Sequence, residues 1–232
     1  MAVPATTGQL RERVEDMEIG DYIVWKYDST ITGYIFGGST SGYTEIAVTG
    51  HPLGSMPAKY FWYGIKVDKG LLISDRIVSH TVTWDWLNTN KFVEGFPLTI
   101  SGISGAVRSL SGGVLYADAN GNKSNADLGY GAFPSMNEWD KYIIKFPFNK
   151  ISTGNTLDDV FHYLTNYTWC RETPIYGTWK DSAGNTSSSA SSSHRIGRGS
   201  NTRTQWSDLN YAGSSNSSAT WGFRPVFEYK EV

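Results

Sequence analysis

Several groups of side chains in this 232-residue sequence have types and spacings that could do chemistry. Asp158, Asp159 and His162 fall within one helical turn and could ligate a metal, although acidic residues at a helix start already complement its positive end. Asp118, Asn120, Asn122 and Asp127 make an oxygen-rich run. Its glycine falls too early for an EF-hand loop and no glutamate closes it, so it reads as a turn. His80 lies in SDRIVSHTVTW near Asp75, and His194 stands in SSSHRIGRG. A hydrolase needs nucleophile, base and orienting carboxylate in mutual reach, and no nucleophile-elbow pattern supplies them. HRIGRG lacks the lysine and spacing of a phosphate loop. Glu172, Asp181 and Asp208 could be nominated for glycan cleavage, but nothing singles out a pair. The single cysteine, Cys170, leaves no internal disulfide and no Cys-based zinc site, and its setting in TWCRET reads as a packed side chain. The expectation is a protein without catalytic residues, metal or cofactor.

The elements that hold these residues are soluble in character. A charged fraction of 18% with a net charge of -2 provides no basic face for nucleic acid. The opening MAVPATTGQLRERVEDMEIGDYI has neither the n-region nor the h-region of a signal peptide, and no stretch approaches a membrane span; synthesis in a cytoplasm is expected. Aromatic residues reach 14%, with 9 Trp and 14 Tyr beside 25 Gly. That composition suits either a β-rich core or flat binding faces for sugars and proteins.

Thr6 and Gln9 form a capping box ahead of LRERVEDM, which reads as a short helix or an attachment arm. DYIVWKYD, GYTEIAV and YFWYGIKVDKGLLISDRIVSH alternate across glycine-rich turns in the manner of antiparallel strands. Thr83 can cap a short helix carrying Trp86, Leu87 and Phe92. Ser135 and Glu138 form a capping box that opens SMNEWDKYIIKF, whose Trp139, Tyr142 and Ile143 share a face. Thr156 caps TLDDVFHYL. From Tyr176 to Tyr211 the chain turns polar and poor in aliphatics and reads as display loops, before closing on the strand-like WGFRPVFEY. Arg224, in the middle of that apolar run, is either a structural charge clamped by buried acceptors or part of a site.

The order of NEWDKYI on a helix, RIGRGSN in a polar stretch and WGFRPVFEY as a closing strand resembles the C-terminal half of the C-type-lectin-like fold. The version in question is shared by formylglycine-generating enzymes and by phage and bacterial variable proteins diversified by retroelements. With DRIVSHTVTWDWLN upstream, the chain is similar to tail-fibre, receptor-binding and other virion proteins of phages infecting Gram-positive bacteria. The resemblance covers about residues 60 to 230. It departs from the enzymes in having one cysteine where they need a pair, and from true C-type lectins in lacking their calcium ligands as a motif.

What the resemblance implies is an α+β binding scaffold: residues 59–232 as a C-type-lectin-like domain with antiparallel strands, two or three short helices and display loops at about 176–220. Residues 1–58 would form an attachment arm and a β-rich segment. The expected function is that of a non-enzymatic phage virion appendage gripping a host cell-surface glycan or protein. Its contacts would come from Trp179, His194, Arg198, Arg203, Trp206, Asn210 and Tyr211, with the aromatic rings stacking and the polar groups directing hydrogen bonds. Trp206 and Trp221 could equally be core, and Arg198 could hold the loops together. Arg224 is expected to fork onto a carboxylate of the Glu138 to Asp140 helix beside Trp139. Other virion proteins and copies of the chain, as a trimer, are the expected partners, with neither nucleic acid nor membrane among them. The alternatives are a capsid or tail decoration protein and, more remotely, a glycan-cleaving enzyme.

Overall fold

Runs rich in aromatic and β-branched residues, YIVWKYD and KYFWYGIKVD foremost, form strands in the computed structural model, which describes residues 3–114, 136–172, 178–180, 186–188, 193–199 and 209–231. In chain order the strands begin with β1 Leu10–Arg11, β2 Tyr22–Asp28, β3 Gly33–Phe36, β4 Thr44–Glu45, β5 His51–Pro52, β6 Lys59–Asp68, β7 Leu71–Ser74 and β8 Ser79–His80. They continue with β9 Phe96–Ile100, β10 Ile103–Arg108, β11 Tyr167–Trp169, β12 Thr178–Lys180, β13 Thr186–Ser188, β14 His194–Arg198, β15 Leu209–Gly213, β16 Trp221–Phe223 and β17 Val226–Tyr229. Among the described residues, helical structure is confined to α1 Trp84–Thr89, α2 Leu157–Phe161, a π-helical segment Trp139–Ile144 and two single 3-10 turns.

Nine strands build one sheet in the order β1-β2-β6-β7-β17-β10-β9, with β3 also on β2 and β4 also on β6. The backbone N–H of Phe36, at the end of β3, donates to Ser101 Oγ in the β9–β10 turn at 2.9 Å, so the sheet curls until distant edges touch. A second sheet runs β15-β14-β11-β16-β8-β5, and β12 and β13 pair separately.

The chain crosses between the sheets twice at one place. β7 continues through Asp75–Val78 into β8, and β16 continues through Arg224–Pro225 into β17. The crossings are laced together: Ser74 N–H donates to the Pro225 carbonyl at 3.0 Å and Val78 N–H to the Phe223 carbonyl at 2.9 Å. Side chains alternate across the large sheet. Leu72 and Phe227 face the second sheet with Trp25, Trp62, Trp169 and Trp221. Leu71, Ile73 and Val226 face the other way, onto Trp139, Ile143, Val160 and Phe161 of the helical segments.

Three expectations are corrected here. The fold is not the α+β lectin-like class: strand accounts for 37% against 13% helix, in two sheets of which the larger is a curled half-barrel. The short helices expected at Thr83 and Thr156 form as Trp84–Thr89 and Leu157–Phe161, where the cap Thr83 accepts from Trp86 N–H and Thr156 with Asp159 makes a capping box. Thr6 and Gln9 cap nothing. Thr6 bridges to Ile151 and its hydroxyl donates to the Gly20 carbonyl, while Leu10–Arg11 pairs with β2 and only Val14–Asp16 turns. The boundary expected between residues 58 and 59 falls within the large sheet, because β2 and β6 pair in antiparallel register from Tyr22↔Ile65 to Asp28↔Lys59.

Two motif glycines are fixed by close approach. A Cβ on Gly197 would stand 2.0 Å from the Trp221 ring, and one on Gly222 would stand 2.5 Å from Ile77 and from the Ser79 carbonyl. Gly197→Ala is therefore expected to lower stability by about 1–3 kcal/mol through overpacking, read as a lower urea midpoint. An unchanged midpoint would contradict this packing.

Candidate ligand-binding surface

Of the residues expected to bind a ligand, His194, Arg198, Asn210 and Tyr211 map to strands β14 and β15 of the second sheet. β14 pairs antiparallel with β15, from His194↔Gly213 to Arg198↔Leu209. His194 and Tyr211 are diagonal neighbours on one face, their rings 4.9 Å apart and tilted by 59°. Both are half-buried, and Asn210 is exposed. Asn210 Oδ1 accepts from the Tyr211 N–H at 2.7 Å, which fixes the amide at the surface. On the other face Arg195 lays its guanidinium 4.3 Å from the Trp84 ring centre, joining the hairpin to α1. Ser214 strengthens that joint, its hydroxyl donating to Asp85 at 3.0 Å. Trp179 falls in β12, where the side chains are not described, and Arg203 and Trp206 lie outside the described residues.

Arg198 belongs to the frame and not to the display surface. It is 3% exposed, donates to the Gly112 carbonyl and to Asp140 Oδ1, each at 2.8 Å, and lies 5.7 Å from the Trp139 ring centre. Arg108, which the sequence reading passed over, takes the partner intended for Arg224. It forks onto both oxygens of Glu138, at 2.7 and 2.5 Å, and reaches Glu228 at 2.7 Å. Glu138 also accepts from the Ser111 N–H, and Asn137 Oδ1 accepts from the Asp140 N–H to start the helical segment. Ser135, the expected cap, lies outside the described residues.

Arg224 does not reach a carboxylate. Fully buried, it donates to the Ser74 carbonyl at 2.8 Å, and to Thr168 Oγ1 and the His162 carbonyl at 3.3 Å each. His162 offers that carbonyl from a left-handed conformation, with φ of 44°. The guanidinium also lies 6.0 Å from the Trp139 ring centre. Burial pushes its pKa down to about 10, partly opposed by the charges of Asp75 and Asp158, so it stays protonated at neutral pH. The neighbouring Arg76 is equally buried but paired, with Asp75 at 2.7 Å and Glu45 at 2.9 Å.

Among the described residues, several of the groups nominated for chemistry have partners within the fold. Asp75 serves Arg76, while His80 Nδ1 lies 2.7 Å from Thr81 Oγ1. Asp159 is used in the cap of α2, and Asp158 accepts from Leu164 N–H. Burial drives the Cys170 thiol well above its ordinary pKa, and the Glu172 carboxyl is raised by burial too. The Asp118–Asp127 run and Asp181 and Asp208 lie outside the described residues. Strands β14 and β15 thus carry one half-buried imidazole, one half-buried phenol and one exposed amide. Comparison with known proteins found no matching family model, no matching curated protein and no matching solved structure.

Arg224→Ala removes a cation from three acceptors and leaves a void, so a loss of about 3–5 kcal/mol is expected. That corresponds to a melting temperature lower by roughly 6–20 °C in calorimetry; melting at the wild-type temperature would refute the strut. For Glu138, burial works to raise the carboxyl pKa, but the hydrogen bonds and charge of Arg108 outweigh it and hold the group below its ordinary value. The stability it adds is thus complete above the unfolded pKa of about 4.3 and is lost as pH falls through the lower folded value. Glu138→Gln is expected to unfold more easily than wild type at about pH 7, with the gap closing toward about pH 3. A gap that did not change with pH would show that the pair is not ionic.

Proposed function

We propose that the protein is a non-enzymatic component of a phage virion that binds a host cell-surface glycan or protein through the β14–β15 edge and the polar chain between Tyr176 and Trp221. One observation carries the reading. The three stretches on which the resemblance rests come together around a single residue: Trp139 of NEWDKYI is flanked by Arg198 of RIGRGSN and by Arg224 of WGFRPVFEY. Stretches so far apart in sequence converge on one buried indole, 0% exposed, and the surface strand grows out of that joint. A rigid base reduces the ordering entropy spent on binding. His194, Asn210 and Tyr211 supply the stacking and hydrogen-bonding groups that sugars and protein surfaces accept.

A second reading, a capsid or tail decoration protein that holds neighbouring subunits, draws on a different surface. Leu10, Ile19 and Phe148 are apolar and exposed, Phe148 to 87%. The segments bearing them are joined by hydrogen bonds from Thr7 N–H to the Lys150 carbonyl and from Tyr22 N–H to the Gln9 carbonyl. Contacts between copies, a trimer among them, or with other virion proteins would be made there.

The test is adsorption of the purified protein to whole cells and to cell-wall polysaccharide of Gram-positive bacteria. The double variant His194→Ala with Tyr211→Ala is expected to lose at least about tenfold in binding while keeping the wild-type melting temperature. Unchanged adsorption by this folded variant would count against the surface. Particle images placing the protein in a shell lattice would favour the decoration reading.

A further inference from the structure

Where the large sheet faces the second sheet and α1, the aromatic core does not close. A cavity of about 140 Å³ remains among Trp25, Trp62, Tyr60, Phe92, Phe223 and Ser79, with Leu53 and Trp86, both exposed, at its mouth. His194, Asn210 and Tyr211 take no part in it, so it is a site apart from the surface proposed above.

Its walls have two properties that define an occupant. They contain no charged side chain, so an ion entering the cavity would lose its hydration without compensation. They also contain a polar group with nothing to bond. The indole N–H groups of Trp25 and Trp62 are closed off within the wall and do not open onto the cavity. Ser79, 8% exposed, has a hydroxyl with no partner among the described residues. Tyr34 and Tyr60, also in the wall, bond each other through their hydroxyls and are not free in the same way. The cavity therefore offers aromatic faces and one hydroxyl that can bond a single oxygen of a guest.

We propose that this cavity binds a neutral six-membered aromatic ring carrying one hydroxyl, a phenol, whether free or as the tyrosine side chain of a partner protein. Size agrees, since a dry cavity of about 150 Å³ in another protein takes up benzene. Aromatic walls favour edge-to-face and offset-stacked contacts with an aromatic guest. A pyranose has comparable volume but carries several hydroxyls, most of which would be buried here without partners at a cost of several kcal/mol. One phenolic hydroxyl, by contrast, is matched by the Ser79 hydroxyl alone, giving its proton to Ser79 Oγ.

The test uses the full chain. p-Cresol, N-acetyl-tyrosinamide and methyl α-glucopyranoside are titrated separately while the methyl resonance of Met56, a wall residue, is followed by NMR. Saturable shifts with p-cresol are expected, about two- to tenfold weaker in Ser79→Ala and absent in Leu53→Trp, which blocks the exposed mouth and keeps the Met56 methyl as reporter. Met56→Trp, which fills the cavity and removes that methyl, is the second blocking variant, read by tryptophan fluorescence, should Leu53→Trp not fold. N-acetyl-tyrosinamide binding alongside p-cresol points to a protein side chain as the natural occupant; binding of p-cresol alone points to a free phenol. No saturable p-cresol binding, binding that survives a folded blocking variant, or saturation by the glucopyranoside instead of the phenols overturns the proposal.

Discussion

Everything in this molecule hangs on the place where two crossing strands carry two arginines through the interior. Arg76 and Arg224 leave the large sheet on neighbouring strands, both without exposed surface. Only Arg76 has a carboxylate there, and Arg224 is solvated by two carbonyls and a hydroxyl drawn from three parts of the chain. Burying a guanidinium without a counter-ion is costly unless its donors are matched, and the matching here sets the geometry. β7 supplies Ser74, β11 supplies Thr168 and the end of α2 supplies His162, so the two sheets and the helical layer meet at one cation.

From that seam the two sides of the large sheet acquire different roles. One side is closed by small helical segments whose Trp139 lies between Arg198 and Arg224, with Arg108 tying Glu138 to β10. The other is closed by a second sheet packed through tryptophans, and it is here that glycine is obligatory. The Trp221 ring occupies the space a side chain on Gly197 would need. The glycines and arginines of RIGRG and WGFR are thus parts of one packing solution, with glycine making room for rings and arginine tying layers together.

Much of the strand content was legible in the sequence, because YIVWKYD, KYFWYGIKVD and WGFRPVFEY have the composition of buried sheet. The inward turn of Arg224 was legible too, since a charge inside an apolar run has few other places to go. Its partner was not. Pairing among Arg108, Arg198, Arg224, Glu138 and Asp140 depends on which strands adjoin, and composition carries no record of that. The same signal was present twice more, in ISGAVRSL at Arg108 and in LLISDRIV at Arg76, and would have pointed to a network in place of a single clamp. The short helices at Thr83 and Thr156 were legible from their capping residues, whereas Thr6 and Gln9, of the same types, sit in extended chain because Thr6 bridges to Ile151. Of the candidate surface, His194, Asn210 and Tyr211 were nominated by composition alone, whereas Arg198 shared that composition and belongs to the interior.

The position of β17 bears on how the polypeptide reaches this state. It lies between β7 and β10, yet Arg108 and its β17 partner Glu228 are 120 residues apart in the chain. A ribosome therefore delivers β7 and β10 as two unpaired edges with a gap between them, and everything in the second sheet beyond β8 must emerge before the gap is filled. Such long-range closure is slow, and the waiting edges are templates for other nascent chains. The molecule depends on being kept apart from its own copies during synthesis, a demand placed on translation speed and chaperones by the order of strands.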